Sequence, residues 1–99
     1  MQTKQHRHVQ PASASYISFR CKCSVTEPGD ELVLVGSCGA LGCWRVSKGL
    51  AMTTDQQTFP QWTLAEELVL AAGEKLEYKY AIRRSDGHIE WEPLEGNRL

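Results

Sequence analysis

Leu76, Tyr78, Tyr80 and Ile82 take every second position of one short run, with Glu77, Lys79 and Ala81 between them. Successive side chains of an extended chain point to opposite faces. The alternation therefore predicts a half-buried strand whose apolar residues enter a core while Lys79 points away from it. Tyr16 to Val25 repeats the pattern, with Ile17, Phe19, Cys21, Cys23 and Val25 on one side and Ser18, Arg20, Lys22 and Ser24 on the other. Glu31 to Val35 is a short apolar run ending in Gly36, which suits a strand buried on both faces. Turn signals stand between these runs at Glu27-Pro28-Gly29-Asp30 and Ser85-Asp86-Gly87. His88 to Glu92 then returns as a strand with Ile89 and Trp91 on one face. Trp62 to Ala72 mixes helix formers with imperfect alternation and is read as one strand, because Gly73 closes it and a clear strand follows. About six to seven short strands with a turn every eight to twelve residues predict an all-β fold, an antiparallel β-sandwich.

A chain of 99 residues makes one domain. It can bury roughly two thirds of its unfolded surface, enough to fold without metal or disulfide staples. The net charge of -1 gives no basic footprint, which excludes nucleic acid as the expected partner. The longest apolar run, Leu32 to Val35, is far too short to cross a bilayer. A monomer is expected. Met1 to Ser15 differs from the rest: it carries Lys4, Arg7, His6 and His8, several Gln and Ser, and no acidic residue. Without an apolar stretch it is not a secretory signal. An organelle targeting segment has such a composition, and a disordered linker or tail fits it better. Residues 1–15 are thus expected outside the sandwich and 16–99 within it, with the compartment open between plastid and cytoplasm.

No catalytic constellation emerges. His6 and His8 lie in the leading segment, and His88 adjoins a turn as a surface histidine. Ser37 lacks the strand–Ser–helix setting of a nucleophile elbow. Glu66 and Glu67 are adjacent and face opposite sides of a strand, so they do not form the opposed carboxylates of a glycosidase. Glu90 and Glu92 share a face without a cleft, and all four glutamates are read as solvated charges. Gly36 to Gly42 has neither the phosphate-loop pattern nor a helix behind it and is read as a tight loop. Cys21, Cys23, Cys38 and Cys43 lack zinc-ligand spacing. Neither metal nor cofactor is implied. Cys21 and Cys23 fall in a strand pattern as small buried hydrophobes, whereas Cys38 and Cys43 flank a loop and are able either to pair or to stay free.

The tryptophans offer a different kind of chemistry. An exposed indole presents a flat apolar plate and one N–H donor, which suits the C–H face of a pyranose ring. Trp44 follows a glycine-rich loop and Trp91 lies in a late strand. Composition alone leaves both open between core and ligand site.

Val35-Gly36-Ser37, Leu41-Gly42-Cys43-Trp44, Glu77-Tyr78-Lys79-Tyr80, Trp91-Glu92 and Asn97-Arg98, taken in order, resemble carbohydrate-binding module family 20, the starch-binding domain of glucoamylases. The resemblance spans residues 16–98. It implies an open-sided, immunoglobulin-like antiparallel β-sandwich that binds without catalysis, with starch, amylose, maltooligosaccharides, β-cyclodextrin or glycogen as partners. By the same resemblance, Trp44 and Trp91 stack on adjacent glucose units, Lys79 donates to sugar hydroxyls, Asn97 bonds the same sugar, and Glu77 is a lesser contributor. The family's second site falls here on Trp62 and Phe59, with Pro28 near the position of a tyrosine. Trp62 is equally readable as core. The family's further strand after Asn-Arg is expected beyond Leu99 or missing. Two alternatives stand beside this reading: a module of a glucan-active hydrolase, phosphatase or dikinase, and a protein-interaction sandwich that has lost its sugar.

Overall fold

The computed structural model describes residues 2–9, 14–71, 73–93 and 96–99. Eight strands are found among the described residues: β1 (Gln2–Val9), β2 (Ala14–Lys22), β3 (Glu31–Gly36), β4 (Leu50–Ala51), β5 (Gln61–Thr63), β6 (Leu68–Ala71), β7 (Tyr78–Arg83) and β8 (Ile89–Trp91). They form two antiparallel sheets. In the first, β2 pairs with β1 and also with β5 and β6. The second has the order β4-β3-β7-β8. The all-β sandwich expected from the alternation is the fold observed.

The core forms where the inner faces of the two sheets meet. Ile17, Phe19 and Cys21 of β2 are buried, as are Leu32 and Leu34 of β3 and Tyr78, Tyr80 and Ile82 of β7. Leu41, Met52, Trp62, Leu68 and Leu70 join the same cluster. Phe19 meets the Tyr78 ring edge-on at 5.1 Å, and Tyr78 meets Tyr80 edge-on at 6.0 Å, an arrangement that aligns ring edges with ring faces. Leu32 to Val35 are all fully buried, as expected for a strand covered on both sides.

Four readings change. First, Gln2–Val9, expected in a tail, linker or targeting segment, runs antiparallel to β2 from Gln2 opposite Lys22 to Val9 opposite Ser15. Backbone pairing along an edge needs no apolar pattern, so composition gave no sign of it. Second, Trp62–Ala72 is not one strand: the chain bends at Ala65–Glu66 and forms β5 and β6, which pair with opposite halves of β2. Third, the alternation of β2 fails at Val25, which is 62% exposed. Pairing ends at Lys22, and the Cys23 amide turns instead to the Pro60 carbonyl at 2.9 Å. Fourth, Glu92 is buried rather than solvated. Its carboxylate accepts Arg98 Nε and Nη2 at 3.0 and 2.9 Å and the Tyr80 amide at 3.0 Å. The Arg98 guanidinium also lies 5.6 Å above the Tyr80 ring.

Candidate functional site

Register fixes which residues share the outer face of the second sheet. Val35 pairs with Lys79, Val33 with Ala81, and Ala81 with Trp91. Paired residues point to the same side, so Lys79 and Trp91 lie together on the face opposite Tyr80. Lys79 is half-buried and Trp91 is 43% exposed. Beyond Trp91 the Glu92 amide still bonds the Tyr80 carbonyl at 3.0 Å. The chain then returns to β7 at Arg98, whose backbone exchanges two hydrogen bonds with Tyr78 at 2.9 and 2.8 Å. This second docking brings Asn97 alongside the start of β7, where Asn97 Nδ2 donates to Glu77 Oε2 at 3.5 Å. The buried Arg98–Glu92 pair anchors that return.

Trp44 lies on the loop after β3. The root of the loop is tied to β7: the Ser37 amide donates to the Glu77 carbonyl at 2.9 Å, and the Glu77 amide donates to Ser37 Oγ at 3.1 Å. Two 3-10 turns follow, Gly39–Trp44 and Val46–Lys48. Gly49 then passes so close to β3 that a Cβ there would lie 2.7 Å from Val33 Cγ1 and 3.2 Å from Val35 Cγ2. The loop thus covers the outer side of β3, next to the row that holds Lys79.

Three consecutive residues of the loop have positive φ: Gly42 at 81°, Cys43 at 48° and Trp44 at 69°. Glycine adopts this region freely, and a Cβ at Gly42 would in any case strike the Lys48 carbonyl oxygen at 2.8 Å. Cys43 and Trp44 pay about 1–2 kcal/mol each to stay there. Outliers of this kind in bulky residues concentrate at ligand sites. Trp44 is half-buried and is not part of the core cluster.

The residues of the expected second site lie elsewhere. Phe59, 44% exposed, and Trp62 line a groove of about 710 Å³ with Pro28, Asp30, Met52 and Asp55. Trp62 is only 6% exposed, and its Nε1 donates to the Cys23 carbonyl at 3.2 Å. Trp62 is therefore a core residue that contributes an edge to the groove floor, and Phe59 is the open ring. Asp55 shapes the rim by accepting the Thr58 amide and hydroxyl at 2.8 and 2.9 Å and the Gln57 amide at 2.9 Å. Those Thr58 bonds hold its carboxyl below the usual carboxylate range.

The family described as the starch binding domain matches residues 14–99. The chain belongs to the starch-binding domain family. It is 31% identical to the glucoamylase of Neurospora crassa over 68% of its own length and 11% of that enzyme's. It is 29% identical to the cyclomaltodextrin glucanotransferase of Bacillus sp. (strain 1-1), over 77% of this chain and 11% of that one. Among solved structures, the family 15 glucoamylase of Hypocrea jecorina superposes with a TM-score of 0.62 at 31% identity, covering 74% of this chain and 12% of that one. The starch-binding domain thus corresponds to about a tenth of the length of these relatives. The family is one of non-catalytic binding modules, appended in these relatives to enzymes.

Proposed function

We propose that this domain holds α-1,4-glucan on the outer face of its second sheet and carries out no reaction itself. Trp44 and Trp91 serve as two stacking plates, and Lys79 donates to sugar hydroxyls. Asn97 donates to the same sugar, with Glu77 orienting its amide. The register of β3, β7 and β8 supports this most strongly, since Lys79 and Trp91 share one outer face. Asn97 beside Glu77, and the loop that carries Trp44 packing through Gly49 on Val33 and Val35, also support it. Two plates that are not coplanar suit the curved run of rings in amylose better than a flat β-glucan. Glycogen, maltooligosaccharides and β-cyclodextrin share that curvature and are proposed ligands. The domain acts as a monomeric tether for whatever protein carries it.

Stacking a flat ring on an aromatic contributes about 1–3 kcal/mol, by analogy with nucleobases. Two plates and a charge-assisted hydrogen bond, less the cost of association, give a Kd of roughly 10 μM to 1 mM. Firm attachment to granules then arises from avidity along the polymer. The Phe59 groove is proposed as a weaker second site. Titrating β-cyclodextrin while following tryptophan fluorescence tests the reading: saturable quenching in the stated range is expected, and an unchanged spectrum at millimolar ligand contradicts it. Release of shorter sugars from maltoheptaose by the purified chain would overturn the non-catalytic part.

A further inference from the structure

All four cysteines are free thiols, but their settings differ: Cys21 and Cys23 are buried, Cys38 is half-buried and Cys43 is exposed. The Cys38 carbonyl accepts the amides of both Leu41 and Cys43 at 3.1 Å, with Gly42 in the left-handed region between them. The bond from Cys43 closes a six-residue turn that begins at the extended Cys38, at φ -89° and ψ 163°, and ends at Cys43. The two residues so brought together are Cys38 and Cys43. One hydrogen bond between their backbones keeps their Cα atoms within about 7 Å, the reach of a disulfide. Trp44 is the next residue, and its own φ of 69° continues the left-handed run.

We propose that Cys38 and Cys43 form a reversible disulfide that locks the turn before Trp44 and so raises glucan affinity. The inference rests on the reading of Trp44 as a glucan plate. The exposed Cys43 thiolate attacks one sulfur of a small disulfide such as glutathione disulfide, forming a mixed disulfide and releasing one glutathione. The Cys38 thiolate then attacks the Cys43 sulfur and expels the second. Two protein thiols and one glutathione disulfide become one protein disulfide and two glutathiones, with two electrons and two protons passing to glutathione. Cys21 and Cys23 stay out of the exchange: they are buried, and burial pushes the Cys21 thiol up to about 12. The reduced turn pays for left-handed Cys43 and Trp44 from weak bonds alone and is free to relax. A ring closed through Cys38 and Cys43 removes much of that freedom, so a larger fraction of molecules presents Trp44 ready to bind.

The test equilibrates the protein in glutathione buffers from reducing to oxidising, traps thiols by alkylation and maps the peptides. β-Cyclodextrin affinity is measured on the same samples. A Cys38–Cys43 cross-link is expected, with affinity about three- to tenfold tighter in the oxidised form. Dithiothreitol should reverse the effect, and Cys38→Ser and Cys43→Ser should each abolish it. A stable glutathione adduct on Cys43 without the cross-link overturns the proposal, as does a cross-linked protein of unchanged affinity. The reduced Trp44→Ala variant separates the two readings. If it binds like reduced wild type, Trp44 is not a glucan plate and the switch falls with it. If it binds more weakly while oxidation changes nothing, the switch alone fails.

Discussion

Removing Arg98 should test how the fold sustains the proposed glucan-binding face. The Glu92 side chain is 3% exposed and that of Arg98 is 21% exposed, so the pair sits at the interior edge of the sandwich. Losing one partner of a buried pair costs about 3–5 kcal/mol, since the survivor keeps an uncompensated charge. The partial exposure of Arg98 places Arg98→Met near the lower end, about 3 kcal/mol. A domain of this size has roughly 5–15 kcal/mol in total, so the loss is a large share. With about 4–8 °C lost per kcal/mol, Tm should fall by about 12–24 °C. The double variant Glu92→Leu with Arg98→Met removes both charges and should recover most of the loss. Urea and thermal denaturation followed by circular dichroism read both. At a temperature where Arg98→Met is still folded, its β-cyclodextrin affinity should also drop, because Asn97 loses the anchor that docks it beside Glu77. A loss below about 1 kcal/mol, or a double variant no better than the single one, would refute the role given to this pair.

Lys79→Ala should weaken maltoheptaose binding by about three- to tenfold, less than the loss of both plates, as read by calorimetry. Gly36→Ala should destabilise the fold by about 1–3 kcal/mol in urea melts, because its Cβ would lie 2.6 Å from the Glu77 carbonyl oxygen and 2.7 Å from Leu41 Cδ1. Stability should also fall in acid. Hydrogen bonds from the Glu27 amide and Arg84 lower the Asp30 pKa, and Arg84 lowers that of Glu90. Their contribution is complete above the unfolded carboxylate values of about 4 and disappears as pH drops through the lower folded ones. Asp30→Asn should flatten that acid limb. Phe59→Ala should leave the melting curve in place and remove any second, weaker β-cyclodextrin site.

The strands with a strict period of two were the legible part of this fold. Ile17 to Cys23 and Tyr78 to Ile82 bury the residues that alternation selects, and the outward direction of Lys79 follows from its two tyrosine neighbours. The same logic could not locate Trp44. Its placement depends on three left-handed residues and on Gly42 and Gly49 closing against distant backbone, none of which leaves a periodic trace. Glu92 looked solvated because its partner Arg98 reaches it only after the chain has left β8 and returned to β7. β5 and β6 looked like one strand because each is short and their break follows from sharing β2. Trp62 was legible only as an ambiguity, resolved by its indole bond to Cys23. Local pattern reports faces; long-range closure decides which face becomes a site.

The central claim is that two tryptophans on the outer face of the second sheet hold the glucan. Sedimentation with granular starch, comparing the wild-type chain with Trp44→Ala plus Trp91→Ala, tests it most directly. The account predicts that the wild type is retained on the granules while the folded double variant stays in the supernatant. Equal retention of a double variant whose circular dichroism matches the wild type would contradict it.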